Sequence, residues 1–342
     1  MKSNSWQFDA HGAPGEVLYW REQELPEPGP GQAWVNISAI GINLADLNRV
    51  LGQHFPVGKF PSCVGGEAVG EIVALGPPAN SGLESVNQLK LEIGARVGTL
   101  SGRVNHVTMG VYRDIGLYDQ VDLVPVPDSY SDEEGAALWT AMITMGGAME
   151  MGGLTADTGG GKQVLITAGG SGMGGLALKL ARHWGATTIA TTRKADKADG
   201  LGKLADHVIV CADSAGLVEG VLQATNGQGV DLVLDPVGAT FFPGLLAAVA
   251  RGGDIVSYEC ISGTQANISI MEMMMKDVSL HGFTTFRPIN NPVMLKRLIE
   301  IGLNNAQALR PVIYKTFDLS DSPEALEAIG RAEHIGKMVI KT

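Results

Sequence analysis

The stretch Val164-Leu165-Ile166-Thr167-Ala168-Gly169-Gly170-Ser171-Gly172-Met173-Gly174-Gly175-Leu176 carries the clearest chemistry in this sequence. An apolar, β-branched run enters it and a helical pattern leaves it. Glycines at such a strand-to-helix turn permit a sharp bend and let the backbone approach a pyrophosphate. The helix N-terminus then offers unpaired N–H groups and the positive end of its dipole. The strict G-x-G-x-x-G frame falls on Gly170, Gly172 and Gly175. A second frame falls on Gly169, Gly172 and Gly174, with Ser171 at the middle position. A further strand signal follows about twenty residues on, the context that dinucleotide binding requires. Two other readings of the glycines fail. A nucleophile elbow needs Gly at 173, where Met173 stands, and a P-loop needs Ser or Thr after Lys162, where Gln163 stands.

The end of that further strand separates the two nicotinamide cofactors. An NAD site places an acid there to hold the ribose 2′-OH. This chain reads Thr191-Thr192-Arg193-Lys194, with Lys197 close behind and no acid before Asp196. Basic residues at this point suit a 2′-phosphate, so the expected cofactor is NADPH. The expected cofactor-binding set is Gly169, Gly170, Ser171, Gly172, Met173, Gly174, Thr192, Arg193 and Lys197.

These residues need elements to hold them. A chain of 342 residues is long enough for two domains. The first third reads as β-rich, with short runs at 35–37, 70–75 and 121–126 separated by Pro, Gly and Asn turns; the Pro-rich stretch 26–31 is one such turn. Ser131-Asp132-Glu133-Glu134 predicts a capped helix start, with the apolar segment 136–145 following. Strand signals then recur at 163–167, 187–192, 207–210, 230–234 and 254–257, with helical spacing of Leu176, Leu180 and Trp184 between the first two. Alternation of this kind predicts a doubly wound α/β domain with a parallel sheet over 131–290. Helices are predicted at 292–301 and 323–333 and a closing strand at 337–341. The Met-rich cluster 271–275 reads as core or loop packing.

Composition limits the partners. The chain is 45% hydrophobic and 18% charged, enough apolar material for a sizeable core. Mean hydropathy is +0.12. Lys and Arg total 25 against 36 Asp and Glu, a net charge of −11, so no nucleic-acid partner is expected. Cys63, Cys211 and Cys260 are few, odd in number and far apart, which argues for a reducing compartment without a disulfide framework. The N-terminus has no apolar signal-like run and nothing later is long enough to span a bilayer. The expectation is a cytoplasmic protein with no membrane partner.

With these residues in hand, the chain resembles the medium-chain dehydrogenase/reductase superfamily, in its zinc-free quinone oxidoreductase and enoyl reductase branch. The resemblance covers nearly the whole chain. Besides the glycine turn it rests on Gly41-Ile42-Asn43-Leu44-Ala45-Asp46, Gly65-Gly66-Glu67-Ala68-Val69-Gly70, Leu123-Val124-Pro125-Val126-Pro127, Ile189-Ala190-Thr191-Thr192-Arg193, Gly229-Val230-Asp231-Leu232-Val233-Leu234-Asp235-Pro236-Val237-Gly238 and Gly336-Lys337-Met338-Val339. It implies a β-rich, GroES-like catalytic domain from 1–130 and 291–342, a Rossmann NADPH-binding domain over 131–290, and an active site in the cleft between them. Family members are often homodimers.

The resemblance also implies site residues. Zinc-dependent relatives place a Cys where Asn43 stands and a His where Gly66 stands, so no metal is expected. Cys63, His54 and Glu67 lie near one another in sequence, but their spacing matches no zinc pattern, and they read as one buried thiol and two loop residues. Asn43 resembles the Asn that faces the nicotinamide, and Thr144 a Thr near its carboxamide. The branch commonly shows Gly-x-Tyr after the Asn-x-x-Asp segment, with the Tyr holding or protonating the acceptor; here the segment is Gly52-Gln53-His54. His54 is therefore either an acceptor contact, able to donate a proton near neutral pH, or a wall residue. The segment 76–93 is longer than the family norm, and Asn80-Ser81-Gly82 suggests a surface loop without chemistry. Without a metal to polarise an oxygen, hydride delivery to a conjugated acceptor is the chemistry implied. The expected function is NADPH-dependent reduction of a quinone or an α,β-unsaturated carbonyl such as an enone. A 2-enoyl thioester is the alternative acceptor. A cofactor-binding structural or regulatory protein with little turnover is the alternative of another class.

Overall fold

The computed structural model describes residues 1–53, 57–79 and 91–342. The expectations placed on His54 and on Asn80-Ser81-Gly82 lie outside the described residues. Among the described residues no helix is long and apolar enough to cross a membrane.

The chain divides into two compact units, residues 1–140 with 289–342, and residues 141–288. The first division falls ten residues beyond the boundary expected at 130, for a physical reason. Ser131 and Glu134 form the expected capping box, with Glu134 N donating to Ser131 Oγ at 3.2 Å and Ser131 N donating to Glu134 Oε2 at 2.9 Å. The helix this starts is only Asp132–Gly135, and a second one, Trp139–Met151, begins after a turn. That turn is tied into the first unit. Glu134 accepts from Arg310 Nη1 at 2.6 Å, and Tyr130 Oη donates to Ala306 O at 2.6 Å. Gly41 lies so close to Ala136 O that a Cβ there has no room.

The second unit holds six parallel strands: β1 (Gln163–Ile166), β2 (Thr187–Thr192), β3 (His207–Val210), β4 (Val230–Asp235), β5 (Val249–Ser257) and β6 (Ser279–Gly282). Their order across the sheet is β3-β2-β1-β4-β5-β6. Strand order reverses between β1 and β4, the point at which doubly wound sheets bind ligands at their carboxyl ends. Leu165, Ile189, Val233 and Ile255 are fully buried, as expected of strands covered on both faces. The strand β6 and the helix Ile270–Lys276 before it carry weak sequence signals, and both form. That helix corrects the expectation for the Met cluster. Met271, Met274 and Met275 are exposed, and only Met273 packs on the core, because a helix of seven residues turns one face inward and the rest to solvent.

The first unit is mostly β. A seven-stranded sheet runs in the order Ile313–Asp318, Lys337–Lys341, Gln32–Gly41, Ala68–Leu75, Arg96–Thr99 and Leu123–Pro125, with Ile115–Asp119 also paired to Gln32–Gly41. A three-stranded sheet centres on Lys2–Phe8. The helix Leu44–Leu51 leaves the long strand Gln32–Gly41 and ends at Gly52, whose positive φ of 73° closes it in the left-handed conformation.

Candidate active site

Two constellations stand out, one in each unit. In the second unit the chain turns sharply after β1. Ala168 adopts φ 51°, and Ser171 then caps the helix Gly172–His183, its Oγ accepting from Gly174 N at 2.9 Å. Gly169 N donates to Thr191 O at 3.0 Å and Ala168 N to Thr191 Oγ1 at 3.2 Å, which pins the turn to β2. Gly175 N is satisfied by Ser171 O at 2.8 Å. The N–H groups of Gly170, Gly172 and Met173 donate to nothing among the described residues. Three free donors at a helix N-terminus form an anion cradle.

Steric need distinguishes the two glycine frames. A Cβ on Gly174 would lie 2.7 Å from Gly169 O, and one on Gly169 would lie 2.8 Å from the Ala190 Cβ, whereas a Cβ on Gly175 meets nothing within 4 Å. The frame through Gly169 and Gly174 is thus the one that close packing dictates. Asp235, at the end of β4, holds the neighbouring turn: it accepts from Thr167 Oγ1, from Val237 N at 3.2 Å and from Gly238 N at 2.9 Å. Burial pushes the Asp235 carboxyl up, against these hydrogen bonds.

At the end of β2, Thr192 Oγ1 accepts from Lys194 N at 3.2 Å. Arg193 is exposed and takes part in no hydrogen bond or ion pair among the described residues. Lys197 is half-buried in the short turn that follows. Asp196, the first acid after β2, is exposed. Thr144 is buried and shares a hydrogen bond of 3.0 Å with Thr285 Oγ1.

In the first unit, four segments remote in sequence meet in a buried polar network. Asn43 precedes the helix Leu44–Leu51. Its Nδ2 donates to Gly41 O at 3.2 Å and to Glu67 Oε2 at 3.0 Å, and its Oδ1 accepts from Lys337 Nζ at 2.6 Å. Lys337 Nζ also donates to Glu67 Oε2 at 2.9 Å, and Glu67 Oε1 accepts from Thr140 N at 2.7 Å. Lysine only donates and a carboxylate only accepts, so the amide of Asn43 has one possible orientation. Asp46, on the first turn of the helix, accepts from Asn43 N at 3.0 Å and from Tyr112 Oη at 3.5 Å. Burial pushes the Asp46 carboxyl up to about 7, despite the N–H bond and the nearby Lys337 charge.

Gly66 is packed closely: a Cβ there would lie 2.6 Å from His106 Cε1 and 2.8 Å from Ser101 Oγ. His106 Nε2 lies 3.0 Å from Ser101 O. Burial, with Arg49's charge adding, pushes the imidazole down to about 4. Among the described residues no three of His, Cys, Asp and Glu converge in a way that could hold a metal ion.

Reading the sequence singled out Asn43 in this network and treated Glu67 as a loop residue. Lys337, Thr140, Asp46 and Tyr112 escaped it as site residues. A signal was present, since Glu67 and Lys337 each interrupt an apolar or Gly-rich run where an unpaired charge is costly.

Two family profiles match the chain. One described as an alcohol dehydrogenase GroES-like domain spans residues 29–128 and one described as a zinc-binding dehydrogenase spans 172–300, together more than half of the sequence. A 2-haloacrylate reductase from a Burkholderia species is 28% identical over 339 residues, 96% of each chain. A quinone oxidoreductase from Pseudomonas aeruginosa is 28% identical over 267 residues, 78% of this chain and 76% of that one. The Escherichia coli quinone oxidoreductase, solved as a complex with NADPH, superposes with a TM-score of 0.84 at 24% identity, over 99% of this chain and 100% of the other.

Proposed function

Because the chain belongs to the medium-chain dehydrogenase/reductase superfamily of oxidoreductases, we propose that it is an NADPH-dependent reductase whose acceptor is a quinone or an alkene conjugated to a carbonyl. The observation that carries the reading is the cradle of free N–H groups at Gly170, Gly172 and Met173, followed along the chain by Arg193 without a partner at the end of β2. The cradle fits a pyrophosphate, and the unpaired guanidinium fits a 2′-phosphate. NADPH, when bound, supplies the hydride. Ser171 and Asp235 shape the turns that receive it, and Thr144 with Thr285 is assigned to its carboxamide end. The 2-haloacrylate reductase and quinone oxidoreductase relatives support the class of acceptor.

Asn43 enters this reading as a positioning residue. Its two amide hydrogens and its oxygen already have partners inside the first unit, so it fixes the start of Leu44–Leu51. His54 is assigned to the acceptor: His54→Phe should slow reduction about a hundred-fold while leaving NADPH affinity unchanged. The reaction is read as metal-independent. Lys337 and Glu67 take up the amide of Asn43, and His106 with Ser101 fills the space beside Gly66. Cytoplasmic residence belongs to the same reading and is supported by three free cysteines. So does a homodimer. Among the described residues β6 is paired on one side only, and the helix leading into it exposes Ile270, Met271, Met274 and Met275.

The test is NADPH oxidation followed at 340 nm with a panel of small quinones, enones and one 2-enoyl thioester, each repeated with NADH. Turnover with a quinone or enone and preference for NADPH are the expected results. Tight NADPH binding without turnover on any acceptor would replace this reading with that of a cofactor-binding protein.

A further inference from the structure

Two buried donors in the network around Glu67 have nothing to donate to. The Lys337 ammonium carries three N–H groups. One goes to Asn43 Oδ1 at 2.6 Å and one to Glu67 Oε2 at 2.9 Å, and the third donates to nothing among the described residues. The second donor is Thr140. Its backbone N donates to Glu67 Oε1 at 2.7 Å, but its Oγ1 is withdrawn from solvent without a hydrogen-bond partner, on a residue only 9% exposed. Thr140 and Thr144 are the polar residues of the apolar run 136–145. Thr144 has Thr285 as its partner, and the Thr140 hydroxyl has none.

A buried donor without an acceptor costs free energy, so two of them on one carboxylate point to a ligand. The acids nearby do not serve them. Glu67 is taken up by Thr140 N, Asn43 Nδ2 and the bond already made by Lys337, and Asp46 is turned onto Asn43 N and Tyr112. The Thr140 backbone and the ammonium stand on the two oxygens of the same carboxylate, which sets the spare O–H and the spare N–H in one neighbourhood. Glu67 is almost fully sealed, whereas Asn43 and Lys337 each keep a narrow exposed rim. Lys337 can only donate, so the ligand atom is an acceptor. Its charge is already balanced by Glu67, so a neutral oxygen able to take on negative charge fits better than a preformed anion.

We propose that Lys337 Nζ and Thr140 Oγ1 bind the carbonyl oxygen of the hydride acceptor and donate to it as it becomes anionic. Hydride addition at the β-carbon of an enone pushes the alkene pair toward the carbonyl and leaves negative charge on its oxygen. Water then returns a proton at the α-carbon, so the alkene is reduced while NADPH is oxidised to NADP+. Donors fixed before the reaction stabilise that charge without reorganising. In a metal-independent reaction they do what a Lewis acid does elsewhere. That the oxygen belongs to the hydride acceptor rests on the reductase reading; that the two donors hold a carbonyl oxygen does not.

The two are tested separately. Cyclohexanone labelled with 13C at its carbonyl has no alkene to reduce, and its carbonyl resonance moves downfield when the oxygen accepts strong hydrogen bonds. It is titrated in the presence of NADP+ against the wild type, Thr140→Val and the double variant Glu67→Gln/Lys337→Met. Thr140→Val keeps the backbone bond to Glu67 and removes only an unpartnered hydroxyl, and the double variant removes the ammonium together with its counter-charge. Unfolding midpoints confirm that each is folded. The expected result is a downfield shift on binding to the wild type that shrinks in Thr140→Val and is lost in the double variant. With NADPH and the best acceptor of the panel, kcat should fall about a hundred-fold in Thr140→Val and further in the double variant. Absence of ketone binding or of the shift in the wild type, a shift indifferent to both variants, or an unchanged kcat in Thr140→Val overturns the proposal. If the shift depends on both residues while no acceptor is reduced, the carbonyl site stands and the reductase reading falls.

Discussion

Lys337 Nζ lies 2.9 Å from Glu67 Oε2, and both side chains are buried, 6% and 1% exposed. The pair joins the closing strand Lys337–Lys341 to the loop before Ala68–Leu75, across 270 residues of sequence. Through Asn43 and Thr140 N it also fixes the start of two helices. Two charges withdrawn from water cost several kcal/mol each, and only close pairing with full hydrogen bonding offsets that. Here each end has further polar partners, so the network defines a geometry more than it adds stability.

A difference in single and double substitutions follows. Glu67→Gln leaves the Lys337 ammonium without a counter-charge, and Lys337→Met does the same to the Glu67 carboxylate. Each should lower unfolding free energy by about 3–5 kcal/mol. The double variant Glu67→Gln/Lys337→Met removes both charges and should recover most of the loss. Urea unfolding of the four proteins measures it. Additive losses in the double variant would show that the pair is not coupled.

The pattern of what was legible in the sequence follows from contact range. The turn 167–175 was readable because its parts are local: a strand, a run of glycines and a helix. Even there the strict frame pointed at Gly175, whose Cβ position is open, and only the fold shows that Gly169 and Gly174 are the crowded ones. The β-strands at 187–192, 207–210 and 337–341 matched their apolar runs to the residue. Asn43 and the isolated charges of Glu67 and Lys337 were legible one by one, but their meeting was not, because no spacing rule connects residues 24 and 294 apart. The expected domain edge at 130 marked a real helix start, but the chain remains with the first unit until Thr140 because Glu67 accepts from its backbone. The exposed Met helix was misread since methionine's apolarity alone carries no information about which face a short helix buries.

Two groups give opposing pH effects on stability. The folded pKa of Asp46, raised from 3.8 to about 7, means the native state keeps a proton that the unfolded chain releases, so stability is lost as pH rises through that window. His106, lowered from 6.5 to about 4, does the reverse: the unfolded chain binds the proton, so stability is gained as pH rises from about 4 to 6.5. Each contribution is on the order of a few kcal/mol. Asp46→Asn should therefore steepen the rise of Tm with pH between 4 and 6.5 relative to wild type, and His106→Gln should flatten or invert it. Thermal unfolding across that range checks both, and parallel curves for all three proteins would refute the assignment.

The glycine turn makes a contrast between neighbours. Gly174→Ala brings a methyl group to 2.7 Å from Gly169 O, and backbone cannot yield as a side chain can. It should destabilise by about 1–3 kcal/mol and weaken NADPH binding tenfold or more. Gly175→Ala meets open space within the helix Gly172–His183 and should stabilise by about 0.5–1 kcal/mol with cofactor affinity unchanged. Thermal shift with and without NADPH separates the two. Equal tolerance of both substitutions would refute the steric assignment, and a greater loss from Gly175→Ala than from Gly174→Ala would assign the turn to the other glycine frame.

Cofactor choice turns on Arg193. It follows the last residue of β2 and is exposed, and among the described residues no carboxylate claims its charge. No acid stands at the end of β2 to accept from a ribose 2′-OH, so NADH finds no matching partner, while the 2′-phosphate of NADPH finds an uncommitted guanidinium. A charge-assisted contact of this kind contributes about 1.5–3 kcal/mol, or roughly ten- to a hundred-fold in affinity. Arg193→Ala should raise the Kd for NADPH by that factor and leave the Kd for NADH within about twofold, so that the gap between the cofactors narrows. The NADPH advantage of the wild type should also shrink with added salt, because the contact is open to solvent and therefore screened. Titration of protein fluorescence with each cofactor at two salt concentrations measures all of these. Equal affinity of the wild type for NADPH and NADH would remove Arg193 from the site.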